Sequence, residues 1–143
     1  MIESYERANL AALSSYKGED AELYSRLKLA GLRESPVHLA AFCDSATSKG
    51  KGLGRQTMPQ ALQYSVVMAI CILWLAARTR GVGVGWVSIL EPDVVTRVLD
   101  VPESWELIGY LCVGYPRGDD DRPALMREGW EKRDPRAGTL FVR

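Results

Sequence analysis

An α+β domain is predicted by three observations. Short apolar runs at 37–43, 82–90 and 106–115 are bounded by Pro, Gly or Asp, as strands usually are. Between them lie segments with apolar residues at three- and four-residue spacing, the period of helices. Finally, 47% of the 143 residues are hydrophobic and 25% are charged, enough to fill one core and to cover it. The length suits a single domain over 1–143.

Residues 3–16 are helix formers, with Tyr5, Leu10 and Leu13 on a partly buried face. Lys17-Gly18 breaks this helix, and a second is predicted over 19–32, where Leu23, Leu27, Ala30 and Ala21, Tyr24, Lys28 recur at helical spacing. Pro36 stops it, because the residue before a proline is pushed out of the α region. Residues 37–43 read as a buried strand carrying His38. The Gly-rich stretch 44–59 has no periodicity and reads as a lid.

Residues 60–80 form the longest element, a helix that starts polar and is then apolar nearly all round. Such a helix is surrounded by protein, so a second subunit is expected to cover part of it. Gly81 is its predicted C-cap. The strand 82–90 leads into a short helix at 92–99 with Pro92 at its first turn. The strand 106–115 is nearly continuously apolar and therefore buried. A tail over 117–143 contains a short helix within 123–132, and 139–142 reads as a terminal strand or an arm across a partner.

Composition excludes several functions. The 18 Lys+Arg balance the 18 Asp+Glu, so the chain lacks the basic excess of nucleic-acid binders. The three cysteines include no CxxC pair, and a single His completes no metal site. Reduced cysteines and a polar N-terminus without an apolar signal segment point to the cytoplasm. The apolar run 66–77 falls short of the ~18–20 residues a bilayer requires, so no membrane span is expected.

Candidate chemistry is sparse. His38 reads as a core histidine bonded to backbone. No GxSxG elbow surrounds Ser65, Ser88 or Ser104. The glycines at 81, 83 and 85 follow a helix and enter a strand, the reverse of a dinucleotide fingerprint. They serve either close backbone packing or the approach of a flat ligand to the strand end. Trp74 and Trp86 read as core aromatics, whereas Trp130 stands in a polar tail and needs a partner surface. Lys49, Lys51, Arg55, Lys132 and Arg133 are phosphate ligands or solvated charges.

The segments YSRLKLAGLRESPVHLAAFCD (24–44), LGRQTMPQALQYSVVMAICILWLAAR (53–78), GVGWVSI (83–89) and PALMREGWEKR (123–133) are together recognisable. They resemble the flavin-dependent nitroreductase superfamily, and within it the 5,6-dimethylbenzimidazole synthase branch. The resemblance implies a nitroreductase-like α+β fold: a mainly antiparallel sheet, flanking helices and a long buried dimer-interface helix. It implies FMN and O2 as reactants. Reduced FMN is fragmented with oxygen to form the lower ligand of cobalamin. Ser88 matches the serine near the flavin that is implicated in the chemistry. Trp86 and Val87 are expected to offer backbone contacts to the ring. Leu125, Gly129 and Arg133 match the tail that folds over the cofactor, with Arg133 placed for the phosphate.

The expected partners are a second copy of the chain and, as an open source of reduced FMN, a separate flavin reductase. The resemblance begins part-way into the family's sequence. A chain truncated at the N-terminus is therefore expected, without the family's Arg-rich phosphate motif, acidic residue and Pro-Ser segment. Two alternatives stand beside the synthase: an NAD(P)H-dependent nitro- or quinone reductase, and an inactive dimerisation module.

Overall fold

A computed structural model describes residues 1–27, 29–118, 120, 122–135 and 138–142. Three strands form one sheet: β1 (Val37–Asp44), β2 (Gly83–Val87) and β3 (Trp105–Gly114). Their order is β1-β3-β2, and β3 runs antiparallel to both neighbours. The helices are α1 (Ile2–Leu13), α2 (Glu19–Arg26), α3 (Gly31–Glu34), α4 (Ala61–Arg78), α5 (Pro92–Val98) and α6 (Ala124–Arg127).

Because β3 is central, both of its faces are covered. Side chains alternate across a strand. Tyr110 and Cys112 therefore enter one cluster, with Leu32, Val87, Leu90 and Val95. Leu111 enters the opposite cluster with Ile70 and Val84, joined by Val113. Val66, Ile70, Trp74 and Ala77 lie on one helical stripe and seat α4 on that second face. Burial pushes the Tyr110 phenol and the Cys112 thiol up from their ordinary pKa values.

The first helix is tied across the chain. Ser4 is buried, and its Oγ accepts the Glu91 backbone N–H at 2.9 Å, where α5 begins. Arg7 pairs with the Glu91 carboxylate, and Arg33 pairs with Glu6. The hydrogen bond from Arg7 holds the Glu91 carboxyl below its usual pKa and raises that of the guanidinium.

Gly81 caps α4 as the sequence predicts. It has φ +69°, its N–H bonds Arg78 O at 3.1 Å, and the Val82 N–H bonds Ala77 O at 3.0 Å. Gly83 lies close to its neighbours, since an added Cβ would sit 3.4 Å from Gly114 O; Gly85 has more room. Near the other end of the strand pair a bulge leaves Ile108 of β3 unpaired, between Ala41↔Gly109 and Phe42↔Leu107. Beside it the Trp86 indole covers Gly109.

Several expectations are corrected. β1 exists but is an edge strand, and Val37, His38 and Leu39 are exposed rather than buried. His38 does bond backbone, at Ser35 O (3.1 Å). The helix expected over 19–32 stops at Arg26, because Leu27 turns extended (ψ 123°). This break lets Leu29 and Leu32 reach the core, so tertiary packing overrides propensity. Lys28, part of the periodic set, lies outside the described residues.

The tail helix is a single turn, and 139–142 pairs with no strand among the described residues. Ser88–Leu90 leave the sheet where β2 was expected to continue.

One face of α4 is left bare: in the single chain Met68, Ile72 and Leu75 are 66%, 63% and 64% exposed, on the helix that a second subunit was expected to cover in part. Only one face of the three-stranded sheet meets α4, and it takes the opposite stripe of the helix. By length and composition α4 could cross a membrane, with 18 residues at mean hydropathy 1.6, so the shorter run counted in the sequence understated it.

The Trp86–Gly109 contact is testable. An added Cβ at residue 109 would stand 2.9 Å from the indole Cε2, closer than such contacts permit. Gly109→Ala is expected to lower unfolding stability by about 1–3 kcal/mol through overpacking. Urea denaturation measures this, and a variant as stable as the parent would disprove the contact.

Candidate functional site

The end of β2 opens into a cleft of about 710 Å3. Its walls come from four parts of the chain. α1 contributes Tyr5 and Asn9, one helical turn apart on one face. The end of α2 and the residues just beyond it contribute Tyr24, Arg26, Leu27 and Leu29. Ser88 and Ile89 come directly after β2, and the tail contributes Ala124, Leu125, Arg127 and Glu128.

Ser88 is exposed because the chain has left the ladder there, freeing its hydroxyl to face a ligand. The tail is held by an aromatic cluster. Tyr16 stacks on Tyr24 with centroids 4.8 Å apart, and Trp130 meets both edge-on at 5.3 and 5.9 Å. Trp130 reaches them because Gly129 reverses the chain at φ +76°. The Trp130 N–H bonds Leu125 O at 2.9 Å, and the Gly129 N–H bonds Met126 O at 3.3 Å. The polar tail thus supplies the partner surface that its tryptophan requires.

Two arginines line the cleft, Arg26 and Arg127. Arg127 approaches Asp120 at 3.7 Å, and Arg122 binds the same carboxylate at 3.0 Å. Arg122 first, then Arg127, holds the Asp120 carboxyl below its usual pKa. Arg26 sits 3.8 Å from Glu22. Burial pushes the Tyr24 phenol up, with Tyr16 and Tyr5 adding to the shift, so its hydroxyl stays protonated.

The cleft unites some expected site residues and not others. Ser88 and Leu125 share it. Trp86 and Val87 turn their side chains into the two opposite core clusters. What they offer outward is main chain along the sheet-edge strand β2. Gly129 acts as the cap of α6 and does not line the cleft, and Arg133 is exposed outside it. The loop 44–59 does not line it either; Arg55 ties that loop to itself by donating to Thr47 O and Lys49 O, both at 2.7 Å. Asn9, Tyr24 and Arg127 were missed. The Tyr5–Asn9 spacing was the available signal, but only the folded tail shows that this face points into a cleft.

The nitroreductase family matches residues 2–115. The chain belongs to the nitroreductase family. This nitroreductase-family chain is 54% identical over 135 residues to 5,6-dimethylbenzimidazole synthase of Rhodospirillum rubrum, covering 94% of this chain and 64% of that protein. It is 44% identical to 5,6-dimethylbenzimidazole synthase of Rhodobacter capsulatus, covering 94% and 65%. The chain therefore spans just under two thirds of the length of these relatives.

Among solved structures, iodotyrosine deiodinase bound to FMN and 3-iodo-L-tyrosine superposes with TM-score 0.62 at 24% identity, covering 97% of this chain and 65% of that one. A nitroreductase family protein from Clostridium difficile gives 0.53 at 17% identity, covering 84% and 66%. These two establish the fold.

The aromatic cluster generates a prediction. Each aromatic pair contributes ~0.5–1.5 kcal/mol. Trp130→Ala should free the tail, making the bond after Arg127 rapidly cleavable by trypsin, while Trp130→Phe keeps most of the protection. Equal cleavage rates in all three proteins would show that the tail is held by something else.

Proposed function

We propose that this chain carries the flavin site of a 5,6-dimethylbenzimidazole synthase and acts on reduced FMN and O2. The observation that carries this reading is the meeting of Ser88 and Leu125 in one cleft, in a chain 54% identical to such a synthase.

The residues fit the cofactor. The cleft's volume lies within the ~300–1,000 Å3 of small-molecule sites. Leu27, Leu29, Ile89, Leu125 and the tyrosines provide apolar walls for a flat ring. Ser88 and Asn9 provide polar points, and Arg26 and Arg127 provide cations for a phosphate. Arg127 takes the part that the resemblance assigned to Arg133, since it lines the cleft and Arg133 does not.

When bound, reduced FMN supplies both the electrons that reduce oxygen and the carbon framework of the product. The protein's own part is placement and shielding. With the cofactor bound, the Ser88 hydroxyl would hold a hydrogen bond to the ring edge and stabilise negative charge there. Leu125 and the docked tail exclude water, which strengthens that bond. The main chain of Trp86 and Val87, paired with β3 on one side only, borders the same strand end.

The test is to mix the full chain with reduced FMN without air, admit air, and assay dimethylbenzimidazole by chromatography. Formation is expected, and Ser88→Ala should lower its rate about 100-fold, the typical effect of losing one such donor. No product from the unaltered chain, or fast NAD(P)H oxidation in its place, would refute the reading.

The bare apolar face of α4 supports a second part of the proposal, a homodimer packed through that helix. Exposed apolar area of this extent marks an interface. Sedimentation should give a dimer for the parent and a monomer for Ile72→Arg. A monomeric parent, or a variant that still dimerises, would reject it.

A further inference from the structure

Asn9 on the cleft wall is aimed by a neighbour. Tyr24 donates its phenolic hydrogen to Asn9 Oδ1 at 3.0 Å. This engages one lone pair of the amide oxygen and uses the phenol's only donor. The two amide hydrogens on Asn9 Nδ2 have no protein acceptor among the described residues, although Asn9 is half-buried. Nδ2 is not sealed in protein, so its hydrogens are open to a ligand or to water in the cleft.

Tyr24 cannot swing away easily. Tyr16 stacks against its ring and Trp130 closes from the side, so the docked tail also fixes the direction of the amide. In this arrangement the Tyr24 hydroxyl donates and Asn9 Oδ1 accepts.

We infer that Asn9 is the ligand-facing donor that reads the edge of a flat heterocycle in the Ser88 cleft, and that Tyr24 is the positioning residue that aims it. The inference rests on the flavin reading of the cleft and adds a residue for specificity. A neutral amide suits a neutral carbonyl or ring nitrogen, whereas a phosphate would be drawn to Arg26 and Arg127 on the same wall. The trio of aromatic rings thereby couples closure of the tail to recognition of the ring.

The experiment titrates the full chain with FMN and, separately, with riboflavin, following flavin fluorescence. Asn9→Leu should weaken both ligands about tenfold, the scale of one net hydrogen bond. Tyr24→Phe, which keeps the stacked ring, should weaken both to a smaller extent and leave tryptic protection of the tail unchanged. The double variant should bind no worse than Asn9→Leu, because Tyr24 acts through Asn9.

Unchanged binding by Asn9→Leu would overturn the inference. So would a loss confined to FMN, which would place the amide at the phosphate. Additive losses in the double variant would show that Tyr24 acts on its own. If the unaltered chain binds neither flavin, the flavin reading of the cleft falls and this inference falls with it. Normal binding by the parent with an indifferent Asn9→Leu removes this inference alone.

Discussion

Burial of β3 on both faces is the constraint on which the rest of the molecule depends. A strand paired on both sides, with Leu111 facing one way and Tyr110 and Cys112 the other, needs a layer above and a layer below. α4 supplies one layer, and the other is assembled from pieces: α1, the single turn α3 and α5. The ties between those pieces are polar. The buried Ser4 hydroxyl meets the start of α5, and Arg7 meets Glu91, so the N-terminal helix is locked to the segment between β2 and α5. That lock carries Tyr5 and Asn9 to the strand end where Ser88 emerges.

The cleft is a product of chain reversals. Two residues beyond their last helical residues, α6 and α5 are followed by Gly129 and Asp100, both at positive φ, and each reversal sends the next residues in a new direction. At Gly129 the redirected residue is Trp130, which docks on the hairpin of α1 and α2 through Tyr16 and Tyr24. The glycine that the resemblance marks as a site residue stands at this reversal and outside the cleft lining. It aims an anchor, and the anchor brings Leu125 over the cleft.

Some of this was readable from residue order. Strand β3, helix α4 and the cap at Gly81 each depend on local pattern: continuous apolar character, helical period and a left-handed glycine. Ser88 was found through the resemblance carried by GVGWVSI, and it does open onto a cleft. Arg133 was named through the resemblance, and Arg127, which lines the cleft, was not, because the sequence says nothing about which side of a capped turn faces inward. Burial of β1 was misjudged for a related reason. Its composition is apolar, but whether a strand sits at an edge depends on pairing between segments far apart in the chain.

Sequence alone determined the element types, the family likeness and the apolar all-round character of α4, because these depend on local spacing and side-chain chemistry. Tertiary structure decided which stripe of α4 meets the sheet, which tail arginine faces the cleft, and that Asn9, Tyr24 and Trp130 form one linked unit. Those outcomes depend on contacts between residues 9, 24, 88 and 130, whose separation along the chain carries no signal of their meeting in space.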